Sequence, residues 1–252
     1  MSNPIALITG GSRGLGRAAA LALAEHGVDL ILTYRTEQAA AQELVTQLQA
    51  QGRRAAALPL DVGDTKSLPA FADAVREVLT TRFERSTFDH LVNNGGHGFH
   101  APIHATREED FDRVLSVHLK GPFFLTQALL PLIADGGSIL NLSSGLTRFA
   151  LPGYASYAAA KGAVEVLTRY LAVELADRRI RVNTLAPGAI ETDFGGGTVR
   201  DNAALNAMIA GQTALGRVGR PDDIGPVVAM LLSPASGWIN AQRVEAAGGI
   251  HV

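Results

Sequence analysis

The 252-residue chain contains no cysteine. Disulfide frameworks, thiolate nucleophiles and cysteine metal sites are therefore excluded, and the composition suits a reducing compartment, so a cytoplasmic protein is expected. Any redox chemistry has to come from a borrowed cofactor. Charge of one sign is lacking too: 22 Lys and Arg stand against 24 Asp and Glu, for a formal net charge of -2. Without long runs of either sign there is no footprint of a nucleic-acid binder and no polybasic membrane anchor. Apolar runs fall short of the roughly 18 residues that a membrane span needs. Ser2 and Asn3 lead straight into a strand-like segment, without the pattern of a targeting peptide. A soluble, untargeted protein acting on small molecules is expected.

What the chain does have is apolar residues, 47% of the total, enough for one substantial core. Short β-branched runs, Ile5 to Thr9, Asp29 to Thr33, Ala55 to Leu60, His90 to Asn93, Ser138 to Leu142 and Ile180 to Leu185, read as strands. Between them lie helical stretches: Arg17 to His26, Glu37 to Ala50, Leu68 to Thr80, Glu108 to Ile133 and Tyr154 to Ala176. This alternation predicts an α/β fold, a single-domain Rossmann-like doubly wound parallel sheet with helices on both faces, spanning residues 1–252. No linker or repeat divides the chain. The irregular region 189–219, with Gly195, Gly196 and Gly197 after Phe194, is expected to be a mobile substrate loop. In such sheets ligands sit beyond the carboxyl ends of the strands, so the residues there carry the functional reading.

After the first strand comes Thr9-Gly10-Gly11-Ser12-Arg13-Gly14-Leu15-Gly16, opening an alanine-rich helix. Glycine lets backbone N–H groups approach a pyrophosphate at a helix N-terminus, where the macrodipole favours negative charge. The spacing is GxxxGxG: a formal GxGxxA reading from Gly14 to Ala19 would put the turn glycine inside the helix. About 20 residues further on, a dinucleotide site selects its cofactor, an acid for a ribose hydroxyl or an arginine for a 2′-phosphate. Strand two ends Tyr34-Arg35-Thr36, with no carboxylate before Glu37, and Arg13 adds a second cation. NADP(H) is expected, the alternative being that both arginines are solvated surface charges.

Tyr157 and Lys161 stand four apart, on one face of a helix. A phenol with a pKa of about 10 is a poor acid-base at neutral pH, and a fixed cation beside it is expected to lower that value. The pair is weak as a signal by itself. It gains company from Asn141-Leu142-Ser143-Ser144-Gly145 at a strand end, from Asn93-Asn94-Gly95-Gly96 and from the glycine turn. Asp61-Val62, the run Ala186 to Thr192 and Gly248-Gly249 extend the likeness along nearly the whole chain, which resembles the short-chain dehydrogenase/reductase family in order and spacing.

The resemblance implies that Ser144, 13 residues before Tyr157, binds the substrate oxygen, with Ser143 the weaker candidate, while Tyr157 acts as acid or base and Lys161 holds the nicotinamide ribose. By the same matching Gly10, Ser12, Arg13, Gly14, Leu15, Gly16, Arg35 and Thr36 take the phosphates, and Asp61 and Val62 the adenine. Asn94 and Gly95 meet the ribose region, Ile190 and Thr192 the carboxamide that orients the nicotinamide, and Pro187 and Gly188 belong to the same cofactor site. Each also has a structural alternative: Asn93 as a strand tie, Asp61 as a helix cap. Relatives commonly form tetramers, so a homo-oligomer is an expectation of the same kind.

The family's relay asparagine, in a Val-Asn-Leu-x-Gly context, is replaced here by His118 in Val117-His118-Leu119-Lys120-Gly121, and His118 is expected to substitute for it. Residues 97–100, 146–151 and the surroundings of Phe194 and Met208 are the expected pocket walls, mostly apolar, which suits a hydrophobic ketone or its secondary alcohol. His97 and His100 lack the partners for a metal site, and none is expected. Two rival functions remain. One is a 3-oxoacyl-[acyl-carrier-protein] reductase, for which Arg178 and Arg179 are docking cations although Asp135 stands where a base is wanted; the other is a non-catalytic NADP(H)-binding redox sensor.

Overall fold

The computed structural model describes residues 3–252; the sequence reading at Ser2 lies outside them. Seven parallel strands form one sheet: β1 (Ile5–Ile8), β2 (Asp29–Tyr34), β3 (Ala55–Pro59), β4 (Phe88–Asn93), β5 (Ile133–Leu142), β6 (Arg181–Pro187) and β7 (Arg243–Ala246), in the order β3-β2-β1-β4-β5-β6-β7. The order reverses beside β1, which opens a crevice between the ends of β1 and β4. Side chains alternate across each strand, so Ala6, Ile8, Leu30 and Leu32 enter one core while Ile5, Leu7 and Ile31 enter the other.

The first core is covered by α1 (Gly14–Glu25), α2 (Gln38–Ala50) and α9 (Pro221–Leu232), the second by α3 (Leu68–Phe83), α5 (Gly121–Leu129) and α6 (Ala155–Glu174). Alanines along α1 let α9 come so close that a Cβ on Gly225 would lie 2.5 Å from the Ala18 carbonyl oxygen. None of the helices among the described residues is long and apolar enough to cross a membrane.

Three expectations need correction. Strand β7 and helix α9 were not legible, because β7 is a short, half-buried run whose edge position relaxes the apolar pattern. The region 189–219 is not all loop: it folds α7 (Thr198–Asp201) and α8 (Ala203–Gly211).

The stretch 108–133 is not one helix either. It breaks into α4 (Glu108–Leu115), a π turn at Ser116–Lys120 and α5. Pro122 has no N–H for the carbonyl of His118 four residues back, and its ring crowds that carbonyl. The ladder therefore widens, and the Gly121 N–H reaches the Ser116 oxygen five residues back. A side chain at 121 could not be housed, since its Cβ would lie 2.3 Å from the Val62 carbonyl oxygen. The widened turn carries His118.

Candidate active site

At the end of β1 the chain turns against β2: the Gly11 N–H donates to the Thr33 carbonyl at 2.9 Å, and the Gly10 N–H to the Thr33 hydroxyl at 3.2 Å. Arg13 and Arg35 follow these anchors by two residues each, so both cations leave from the same edge of the sheet. Arg35 is exposed and makes no ion pair among the described residues, and Arg13 makes only a loose one, 3.8 Å from Asp193. Helix α1 begins with no side-chain cap and no acid in its first turn, leaving its amide donors to a ligand. From β4, Asn94 Nδ2 donates to the carbonyls of Thr9 (2.8 Å) and Gly10 (3.1 Å), holding the turn open. Thr192 closes it from the far side: a Cβ at Gly14 would lie 3.6 Å from its methyl group. This cradle fits a pyrophosphate with an extra phosphate at its arginine edge.

Other matched residues fall nearby in different capacities. Asp61 accepts the Gly63 N–H at 2.9 Å; α3 begins only at Leu68, so the helix-cap alternative is excluded. Ile190 pairs with Gly219 in a parallel bridge at the base of region 189–219. Asn93 is a strand tie: its Nδ2 donates to Asn141 Oδ1 (2.8 Å) and Thr126 Oγ1 (3.3 Å), inside the second core.

Tyr157 and Lys161 both lie buried on the face of α6 that meets the end of β5. The Ser144 hydroxyl stands beside the Tyr157 phenol, where donation to the phenolate lowers the phenol's pKa, and it accepts the Leu146 N–H at 3.2 Å. Ser143 is committed elsewhere, donating to Glu165 at 2.6 Å, so of the two serines only Ser144 meets the phenol. Lys161 Nζ donates to the Leu142 carbonyl at 2.7 Å and stands 5.8 Å from the centre of the Tyr157 ring.

The expected lowering of the Tyr157 pKa is overturned. Burial pushes the phenol well above its ordinary value, and the Ser144 hydrogen bond offsets only part of that. Burial likewise pulls Lys161 down to about 8. In this arrangement Tyr157 is a neutral phenol, set to give a proton.

His118 is almost fully buried, its ring edge-on to that of Tyr157 with centres 5.0 Å apart. Its Nε2–H donates to the His97 carbonyl at 2.8 Å. Burial, and then the charge of Lys161, push its pKa down to about 2, so the ring is neutral. Phe194, from region 189–219, reaches to 5.9 Å from the Tyr157 ring, and Gly195 meets Gly98, where a Cβ would fall 2.9 Å from the Gly195 Cα.

A family model described as enoyl-(acyl carrier protein) reductase matches residues 10–251. An uncharacterised oxidoreductase of Methylorubrum extorquens is 37% identical over 254 residues, covering 100% of this chain and 99% of its own. The chain is a short-chain dehydrogenase/reductase. Among solved structures, the reductase LugOII, which catalyses keto-reduction at C1 during lugdunomycin biosynthesis, has a TM-score of 0.93 and 36% identity, covering 98% of this chain and 97% of that one. The angucycline C-6 ketoreductase LanV with bound NADP has a TM-score of 0.93 and 33% identity, covering 98% and 95%.

In this short-chain dehydrogenase/reductase, sequence reasoning missed Glu165 and Arg243. Glu165 continues the Tyr157–Lys161 face by one more turn and gathers three donors: Ser143 Oγ (2.6 Å), Thr147 Oγ1 (2.7 Å) and Arg243 Nε (2.8 Å). Arg243, from β7, also pairs with Glu245, which takes Arg148. Arg148 is thereby bound to Glu245 and to the carbonyls of Ile250 and His251, and is not the pocket wall that was expected. The i, i+4 spacing was a signal for Glu165; nothing in the sequence placed Arg243 beside it, 78 residues away. A cavity of about 240 Å³ between Ile190, Leu215 and Ala246 borders the base of region 189–219 and includes none of Ser144, Tyr157 and Lys161.

The buried ammonium predicts a pH effect. Lys161 holds its proton less well folded, at about 8, than unfolded, where the ordinary lysine value of 10.5 applies. Between those values the unfolded chain binds more protons, so stability contributed by this group rises with pH through that window. The gain reaches about 3 kcal/mol at most, since each pKa unit corresponds to about 1.4 kcal/mol. Lys161→Met is expected to flatten the rise in denaturant midpoint between pH 8 and 10; an unchanged slope would show that Lys161 does not carry it.

Proposed function

We propose that the protein is an NADP(H)-dependent ketoreductase acting on free hydrophobic ketones, with Ser144, Tyr157 and Lys161 as its catalytic residues. The observation that carries this reading is the meeting of the Ser144 and Tyr157 hydroxyls at the buried end of β5, with Lys161 one helical turn behind. When bound, the reduced nicotinamide supplies the hydride. The chain supplies everything else. Ser144 Oγ donates to the substrate oxygen and fixes its position, and the Tyr157 phenol, kept protonated by burial, gives its proton to that oxygen as negative charge develops there. Lys161 holds the ribose and keeps a positive charge behind the phenol, which eases loss of its proton. His118, uncharged, donates from Nε2 to the His97 carbonyl, so its Nδ1 is an acceptor and the ring does not carry a proton as a cation.

The arginine edge of the glycine cradle favours NADP(H) over NAD(H), as does the NADP bound in the LanV structure. The carrier-protein rival is weakened by Arg178, whose guanidinium is occupied by Asp135 at 2.8 Å and by the carbonyls of Leu130 and Ile133. The intact Ser144, Tyr157 and Lys161 cluster argues against a sensor without turnover.

One assay separates these readings: oxidation of NADPH and NADH followed by absorbance, with aryl ketones and a 3-oxoacyl thioester. NADPH-dependent turnover of the free ketones is expected, with a kcat/KM preference over NADH of 100-fold or more. Replacing Arg13 and Arg35 by Ala together should cut that preference at least tenfold, chiefly through KM for NADPH, because each arginine adds a charge-assisted hydrogen bond to the 2′-phosphate. A clear thioester preference would favour the carrier-protein reading, and NADPH binding without turnover of any substrate the sensor.

A further inference from the structure

We infer that Arg243 is a positioning residue for Ser144: together with Glu165 it fixes the turn that aims the serine hydroxyl, acting through the Ser144 carbonyl and not through the hydroxyl itself. This rests on the ketoreductase reading above and adds to it a residue from the last strand of the sheet.

Ser144 stands where β5 ends and a short 3-10 turn, Gly145–Thr147, begins. Its backbone is extended, and its Oγ caps the turn by accepting the Leu146 N–H at 3.2 Å. The direction of the hydroxyl therefore follows the orientation of the turn. Helix α6 holds the chain just before it: Lys161 donates to the Leu142 carbonyl at 2.7 Å, and Glu165 accepts the Ser143 hydroxyl at 2.6 Å. How the turn then leaves the strand depends on what holds the Ser144 carbonyl.

Three donors lie within reach of that carbonyl: the Thr147 N–H at 3.3 Å, the Thr147 hydroxyl at 2.9 Å and Arg243 Nη2 at 3.3 Å. The Thr147 hydroxyl has one hydrogen but two acceptors, because Glu165 Oε1 lies 2.7 Å away. The carboxylate is the closer and makes the stronger, charge-assisted bond, so it takes the hydrogen. The Ser144 carbonyl is left with a stretched backbone bond and the guanidinium. Arg243 also donates from Nη2 to Thr147 Oγ1 at 3.2 Å and from Nε to Glu165 Oε1 at 2.8 Å. One planar fork thus ties Ser144, Thr147 and Glu165 into a single geometry, which the point charge of a lysine could not do.

Arg243 is itself held. Its Nη1 donates to Glu245 at 2.8 Å, and Glu245 takes Arg148, which ends on the carbonyls of Ile250 and His251. Charges alternate along this row, and the side chains of Glu165, Arg243 and Glu245 are only 14, 24 and 21% exposed, so water competes weakly for the bonds. Without Arg243, Glu165 loses its counter-charge and the Ser144 carbonyl its guanidinium, and the turn is freed where the hydroxyl is aimed. A misplacement of about 1 Å at a reacting group can cost about 10²-fold in rate.

The test is a double-mutant cycle on NADPH-dependent reduction of acetophenone, with Arg243→Met placed in wild type and in Ser144→Ala. Ser144→Ala removes the hydroxyl but keeps the carbonyl that Arg243 holds, so positioning has nothing left to act on. Alone it is expected to lower kcat by about 10² to 10³-fold, the usual loss for a donor to a developing oxyanion, and this bounds the effect of Arg243. Arg243→Met should lower kcat tenfold or more in wild type, with the Kd for NADPH within threefold, and less than twofold in Ser144→Ala. Should Arg243→Met fail to fold, Glu165→Gln, nearly identical in shape, replaces it in the same cycle, with a loss of threefold or more in wild type and again less than twofold in Ser144→Ala.

Equal fold-losses in the two backgrounds, or a loss below threefold in wild type, overturn the inference and leave the ketoreductase reading standing; Arg243 would then only tie β7 to the fold. A loss below threefold for Ser144→Ala alone removes the serine from catalysis and overturns it as well. If wild type binds NADPH but reduces none of the aryl ketones, the ketoreductase reading fails, and this inference with it.

Discussion

Tyr157→Phe is expected to lower kcat for ketone reduction by about 10² to 10⁴-fold, the contribution typical of a positioned general acid. The substitution removes one oxygen and little else. The Phe ring keeps the edge contact with His118 and the tilted contact with Phe194, so the fold and the covering of the site should survive. What is lost is the only hydroxyl that combines a proton to give with contact to Ser144. Binding of NADPH, measured by fluorescence titration, should change less than threefold, because the glycine cradle is untouched. The expected signature is thus a collapse of kcat with the cofactor Kd preserved. A variant retaining more than a tenth of wild-type kcat would show that some other group protonates the substrate oxygen.

Gly16→Ala should damage both stability and cofactor binding. A Cβ there would lie 2.2 Å from the Gly10 carbonyl oxygen, 2.9 Å from Gly11 Cα and 2.7 Å from Asn94 Nδ2. Two of the three are backbone atoms, so no rotamer change relieves the clash; the turn must open or α1 must slide. Opening the turn breaks the bonds from Asn94 to Thr9 and Gly10 that shape the cradle. Overpacking of this kind costs about 1 to 3 kcal/mol, and for a chain of this size each kcal/mol moves Tm by about 2 to 4 °C. The Kd for NADPH should rise at least 100-fold.

Gly162→Ala is the matched control, because nothing lies within 4 Å of a Cβ at that position in α6. Alanine there should be neutral or stabilising, as alanine in a helix interior is favoured over glycine by about 1 kcal/mol. Should Gly16→Ala melt and bind like the control, the turn would have to be softer than its contacts imply.

Much of the site was legible because its logic is local. The i, i+4 spacing of Tyr157 and Lys161 put them on one helix face, and the glycines of residues 10 to 16 could be read as a turn between strand and helix. Ser144 was favoured over Ser143 by its distance along the chain from Tyr157. Geometry now separates the two serines by a different route, the bond from Ser143 to Glu165. Local patterns failed where the cause was a partner far away in sequence. The long helix expected over 108–133 had the right composition, yet Pro122 disrupts the ladder and Val62, from another loop, dictates glycine at 121. The expected fall in the Tyr157 pKa considered only the lysine; the opposing desolvation exists only once α6 has packed against β5.

The sequence by itself determined the alternation of strands and helices, the carboxyl-edge location of the functional residues and the chemical kinds of group present there. These follow from periodicity and from covalent properties of side chains within a few residues of one another. Only the tertiary structure decided the direction in which burial shifts the titration of Tyr157, Lys161 and His118, the choice between two adjacent serines and the Glu165–Arg243 brace. Each of those depends on which surfaces lose water and which distant donors and acceptors meet, and burial and long-range pairing come into being only when the sheet closes around them.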